Sequence, residues 1–250
     1  MTTKLQKLPM QRNSTERRIA GASYSPAKLK TRFCLLWNRC LTPGAEASSM
    51  RVWADLSRHY AEPHRHYHTL THIFHCLRHM DAAKSLIEAP DAVEMAVWFH
   101  DAVHNPEACD NEQRSVELFE RAASSHFQQD LVHKIGDLVL ATAHREAPRN
   151  HDERVLCDID FASFGSPWDE FLGDSQALRI EQAKTPDELF YPAKLKFLKA
   201  ILERRTIFFT DFFRARYETS ARKNIQRYIA NLEADALALS ARGHVQRRSR

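Results

Sequence analysis

Glycine is scarce in this 250-residue sequence, with six in all, and there are no alternating β-branched runs long enough to make a strand. Those two absences argue against a sheet, which needs turn residues and pleated faces. No two cysteines stand as C-x-x-C. The five present, Cys34, Cys40, Cys76, Cys109 and Cys157, are odd in number and far apart, which speaks for reduced thiols and against a disulfide framework or a cysteine zinc site. No apolar run approaches the roughly 20 residues that cross a bilayer, and residues 1–30 lack the apolar middle of a secretory signal. A cytoplasmic protein without membrane contact is the expectation. Neither a P-loop nor a glycine-rich dinucleotide fingerprint offers a nucleotide cradle.

Charge is unevenly spread. Residues 1–30 carry +6 and residues 241–250 carry +4, so the chain's total of +4 leaves −6 for the body between them. The basic balance therefore belongs to the ends, and nucleic acid contact is expected only weakly, through those ends. Residues 1–25 and 241–250 read as flexible basic tails around one domain, 26–240. The Arg- and Ser-rich start also suits an organellar transit peptide. Within the domain the pattern is helical nearly throughout, predicting helices near 26–41, 47–61, 68–88, 90–103, 111–125, 128–146, 168–184, 191–204, 205–218 and 220–238. Pro63, Pro90, Pro106, Pro148, Pro167, Pro186 and Pro192 are expected at their ends. The predicted class is all-α, a single helical bundle of roughly ten helices.

Six of the fourteen histidines fall between His64 and His79. On a helix starting near His68, steps of about 100° bring His68, His72, His75 and His79 to one face and Leu70, Ile73, Phe74 and Leu77 to the other. His75 and His79 read as a solvated polar face, and His64 and His66 as loop or rim. About thirty residues on, the apolar stretch Ala92–Phe99 ends in His100-Asp101. A titratable pair closing a buried helix is costly unless it is paired or holds a metal, and imidazole with carboxylate suits zinc, iron and manganese.

The ordered set of a histidine, His100-Asp101 and a later aspartate resembles the H…HD…D signature of the HD-superfamily metal-dependent phosphohydrolases. The segments Tyr67–Ile73, Trp98–Val103, Asp110–Ser115 and Leu156–Phe161, with Ala221-Arg222 and Asn224-Ile225, are similar to a branch of predicted phosphohydrolases without an assigned substrate. The resemblance runs from about Trp53 to Leu232. It implies an HD-type helical bundle with a divalent metal, Mn, Fe, Zn, Co or Mg, at one or two ions per chain. His68, His100, Asp101 and Asp160 are the implied ligands, with His72, one turn beyond His68, as fallback or second ligand. Asp158 is the alternative to Asp160 or its orienting neighbour, because Phe161 stands where the family often has a basic residue. His72, His144 and Asp158 are candidates for a second metal or its surroundings, and His104 is read as rim.

The implied reaction is hydrolysis of a phosphomonoester or phosphodiester, of a nucleotide or small phosphorylated metabolite, by a metal-activated water. Glu112 is a candidate base, and Arg65 and Arg145 are candidates for the anionic oxygens. Two alternatives stand beside it. One is an HD-type di-iron oxygenase, which needs two metals per chain; the other is a non-catalytic helical binding module.

Overall fold

The computed structural model describes residues 24–46 and 48–248, with side chains described through residue 234. Among these residues there are ten α-helices and no strand. They are α1 (Pro26–Cys40), α2 (Ser49–His59), α3 (Leu70–Ala82), α4 (Pro90–Phe99), α5 (Asn111–Ala123), α6 (Gln129–Ala141), α7 (His151–Phe161), α8 (Trp168–Glu181), α9 (Asp187–Glu203) and α10 (Asp211–Arg248). Two 3-10 turns, Lys84–Leu86 and Ala162–Gly165, and an isolated bridge between Leu41 and Phe127 complete the regular structure. The all-α bundle expected from the sequence is what forms. No helix of the described residues is long and apolar enough to cross a membrane.

Local chemistry explains several helix starts. Ser25 caps α1 by accepting from the Lys28 amide, with Pro26 in the first turn. Thr69 caps α3 by accepting from Thr71, so that helix begins after His68, not at it. Asn150 accepts from the Glu153 amide at the start of α7, and Glu153 Oε1 accepts from Asn150 Nδ2 in return. Helix α7 itself was not expected. The segments predicted as 205–218 and 220–238 form one helix, α10, whose backbone stays helical to Arg248 through the expected C-terminal tail. Pro192 lies inside α9, not at its end. Of the expected N-terminal tail, residues 1–23 lie outside the described residues.

Helix α4 is the axis of the core, buried continuously from Ala92 to Phe99 and packed against α1, α3 and α6. Phe33, Trp37, Trp53, Trp98, Phe99 and Phe127 interlock around it at centroid separations of 4.5–6.5 Å. Full burial of one such ring is worth about 1.5–3 kcal/mol. Such packing fixes the end of α4 and hence the His100-Asp101 pair. On the far side, α10 lies against the Ala162–Gly165 turn. There a Cβ on Gly165 would come within 2.6 Å of Tyr217 Cβ and 3.1 Å of its Cα. Asn224 Nδ2 donates to the carbonyls of Phe164 and Ser166, at 2.9 and 2.8 Å.

Candidate metal centre

His100 closes α4, its amide still bonded to the Ala96 carbonyl. Its Nδ1 lies 2.9 Å from the Val97 carbonyl oxygen, and that contact requires the proton on Nδ1. Nε2 of the neutral ring then carries the free lone pair, and it faces His72 Nε2 from the first turn of α3 at 3.2 Å. Asp101 Oδ2 lies 2.9 Å from His100 Nε2 and 3.4 Å from His72 Nε2. Asp160, near the end of α7, brings Oδ1 to 3.5 Å from His72 and 3.7 Å from His100. Its other oxygen meets His144 Nε2 at 2.8 Å. His144 takes a left-handed φ of 52° just after α6 ends, a costly conformation for a non-glycine residue. The ring is held there by Asp160 and by stacking on Phe161, at 3.8 Å between centroids.

Two imidazole nitrogens facing each other between two carboxylates need positive charge among them. Burial disfavours charge on His100, but Asp101 and Asp160 outweigh it and hold this imidazole well above its usual range. Burial is likewise outweighed at His72, by Cys76, Tyr67 and the two aspartates, with the same direction. At Asp101 burial is overcome mainly by His100 and His68, and at Asp160 by His100, His144 and His72, so both carboxyls sit well below their usual range. A divalent cation satisfies the same demand, and a two-nitrogen, two-carboxylate set suits zinc, iron or manganese. Cys76 Sγ is 3.5 Å from His72 Nε2. Single donor atoms of His72, Cys76, His100 and Asp160 all lie within 4.8 Å of one another. These residues could hold a metal ion.

His72, not His68, thus heads the cluster. His68 precedes the cap of α3, and its Nδ1 is bonded to Glu181 Oε2 at 2.6 Å. Glu181 Oε1 accepts from the amides of His66, Tyr67 and His68, at 2.8, 2.8 and 2.9 Å, so one carboxylate at the end of α8 fixes the whole approach to α3. His104, expected at the rim, stacks on His68 at 4.0 Å and brings Nε2 to 3.3 Å from Glu181. His68, His104 and Glu181 form a second group of ligand-type atoms within 4.8 Å. Four hydrogen bonds and the nearby His104 ring drive the Glu181 carboxyl far below its usual range against the opposing pull of burial.

The other expected site residues stand elsewhere. Asp158 accepts from the Phe209 and Thr210 amides and the Thr210 hydroxyl, at 2.7–2.8 Å, and so ties the start of α10 to α7 and does not join the cluster. The Arg65 side chain is fully buried, and its guanidinium donates to Glu62 and to the carbonyls of His68, Asp101 and Ala102. It braces the backbone of the His-Asp pair and has no face left for a substrate anion. Arg145 is exposed, donating to the Cys109 carbonyl, with Glu112 4.0 Å away; that pair lies apart from the contacts of the cluster. His64 Nε2 donates to the His104 carbonyl oxygen. His79, expected in solvent, is bonded to the Tyr217 hydroxyl at 3.2 Å, and burial lowers its pKa to about 4.

Comparison of the chain with protein-family models, with curated proteins and with solved structures gives no significant match.

Proposed function

We propose that this chain is a metal-dependent phosphohydrolase of the HD-superfamily type, acting on a phosphomonoester or phosphodiester of a nucleotide or other small metabolite. The observation that carries the reading is the convergence, in the order H…HD…D, of His72, His100, Asp101 and Asp160 at the end of the most buried helix. These four would hold the ion. A divalent cation there supplies Lewis acidity, toward a phosphoryl oxygen and toward water.

The chain's own residues supply orientation and proton handling. Val97 fixes the His100 ring and Arg65 the backbone of Asp101, while His144 fixes Asp160. With Nδ1 committed to Glu181, His68 keeps Nε2 for proton exchange, and it lines the same cavity as Asp160. That geometry suits delivery of a proton to the departing alkoxide oxygen.

A second reading, the HD-type di-iron oxygenase, draws on the His68, His104 and Glu181 group. Metal content separates the two: we expect one ion per chain, whereas the oxygenase needs two. The deciding experiment joins elemental analysis to a phosphatase and phosphodiesterase panel, run on the intact protein and on His100→Ala and Asp101→Ala. Loss of both metal and hydrolysis with helical content retained is the expected result. A metal-loaded protein inactive across the panel, or variants with full metal and turnover, would sink the proposal.

A further inference from the structure

Beside the cluster lies a cavity of about 230 Å³ with Asp160 and His68 on its wall. Much of the rest is aromatic: Tyr67 from the approach to α3, Phe161 and Phe164 around the end of α7, Phe171 from α8 and Phe197 from α9. Among the residues lining it there is one lysine or arginine, Lys194 on α9. Its neighbours on that helix behave differently, since Lys196 is exposed and Lys199 reaches out to Glu233 at 2.7 Å. Lys194 instead turns in, with Nζ 5.6 Å from the centroid of the Phe197 ring.

A partly buried ammonium group set against a ring is disfavoured unless something anionic meets it. Burial pushes Lys194 down to about 8, and is the sole cause of that shift. The cation–π contact is worth about 0.5–1 kcal/mol at exposed sites and more when desolvated, a partial compensation. Besides Tyr67, the ionisable groups on this wall are His68, Asp160 and Asp174, so one cation shares the cavity with a carboxylate of the metal-type cluster. An oxyanion entering the cavity would meet both the cation and the cluster.

Size limits what can enter. The cavity falls below the roughly 300–1,000 Å³ of sites that enclose drug-sized ligands, so a polynucleotide strand does not fit within it. Building on the phosphohydrolase reading, we infer that this cavity is the substrate subsite. Lys194 binds an anionic oxygen of a small phosphomonoester there, and the ester's apolar or planar organic part packs on the aromatic wall.

The test uses the metal-loaded full chain with two non-hydrolysable probes, phenylphosphonate and methylphosphonate, by titration calorimetry. A charge-assisted hydrogen bond contributes enough that its loss weakens binding on the order of tenfold or more. Lys194→Met should therefore raise the Kd for phenylphosphonate by about that factor, while Lys194→Arg recovers most of it. Methylphosphonate should bind the unaltered protein several-fold more weakly than phenylphosphonate. With phenyl phosphate as substrate, Lys194→Met should raise KM more than it lowers kcat. An unchanged Kd in Lys194→Met, with metal content and helicity intact, would overturn the assignment of Lys194; equal affinity for the two probes would overturn that of the aromatic wall. Lys194-dependent binding without turnover of any ester would remove the phosphohydrolase reading and leave the anion subsite standing. Hydrolysis with an unchanged Kd would do the reverse.

Discussion

His68 and His72 are four residues apart, one before the cap of α3 and one in its first turn, and do different work. His72 faces His100 across 3.2 Å, whereas His68 is bonded through Nδ1 to Glu181. We expect His72→Ala to lose the metal and, with it, turnover. His68→Ala should keep the metal and lower turnover by roughly 10²–10⁴-fold, the usual range for a proton-transferring side chain. Metal analysis of the two variants side by side checks this, and metal loss in His68→Ala would return that residue to the ligand set. His79 gives a second residue-level expectation. Its folded pKa of about 4 lies below the ordinary 6.5, so the unfolded chain takes up a proton first as pH falls. Stability present above pH 6.5 is then lost as pH falls toward 4. Urea unfolding of His79→Phe at pH 7, 5.5 and 4.5 should show a shallower decline than the parent chain, the difference reaching roughly 3 kcal/mol at most. The His-Asp pair was legible in the sequence because an unbroken apolar stretch leads into it. His72 was legible only as an alternative, because Thr69, and not His68, turned out to be the last residue outside the helix. Glu181 gave no signal, since a glutamate on an exposed-looking helix acquires its role only through the distant amides it meets.

At the scale of elements, the helix the sequence concealed is α7. Asp152, Glu153 and Asp158 are buried in it, and three buried acids erase the apolar period by which helices are recognised. Asp152 and Asp158 have partners that appear only on folding: Asp152 accepts from the amides of Glu88 and Ala89 at the start of α4, at 2.8 and 2.9 Å, and Asp158 from those of Phe209 and Thr210. The α8 terminus is tied to the approach of α3 in the same way, through Glu181. Its carboxyl titrates below the ordinary 4.5 in the folded chain, so its contribution is present above pH 4.5 and fades as pH falls below that value. Glu181→Gln should therefore be less stable than the parent at pH 7, with the gap narrowing below pH 4.5. Paired urea titrations at pH 7 and pH 3.5 would show it, and a constant gap would mean the bonds do not depend on the carboxylate. The same variant frees the His68 ring, so a fall in turnover at unchanged metal content should accompany it.

Across the whole molecule, the cluster joins α3, the end of α4 and α7, segments far apart in the chain. An ion held by all of them is held only by the folded state. At a free concentration a hundred times its Kd it adds about 2.7 kcal/mol, and for a chain of this size that is on the order of 5–10 °C in Tm. Calorimetry before and after chelation is the measurement, and a Tm indifferent to both metal and chelator would contradict the ligand set. The excess positive charge lies at the ends of the sequence, away from the −6 body, so a chain trimmed of residues 1–23 is expected to keep its metal and its turnover of small esters. The contact of Gly165 with the Tyr217 backbone bears on how this protein can vary over generations. A single methyl group at 165 would have to push α10 outward and pull Asn224 from the two carbonyls it bridges. Random substitution should thus be tolerated at the outward positions of α10 up to residue 234, be selected against at its buried ones such as Phe213, Ala221 and Ile225, and be barred most strictly at the one site in the short turn where no side chain fits.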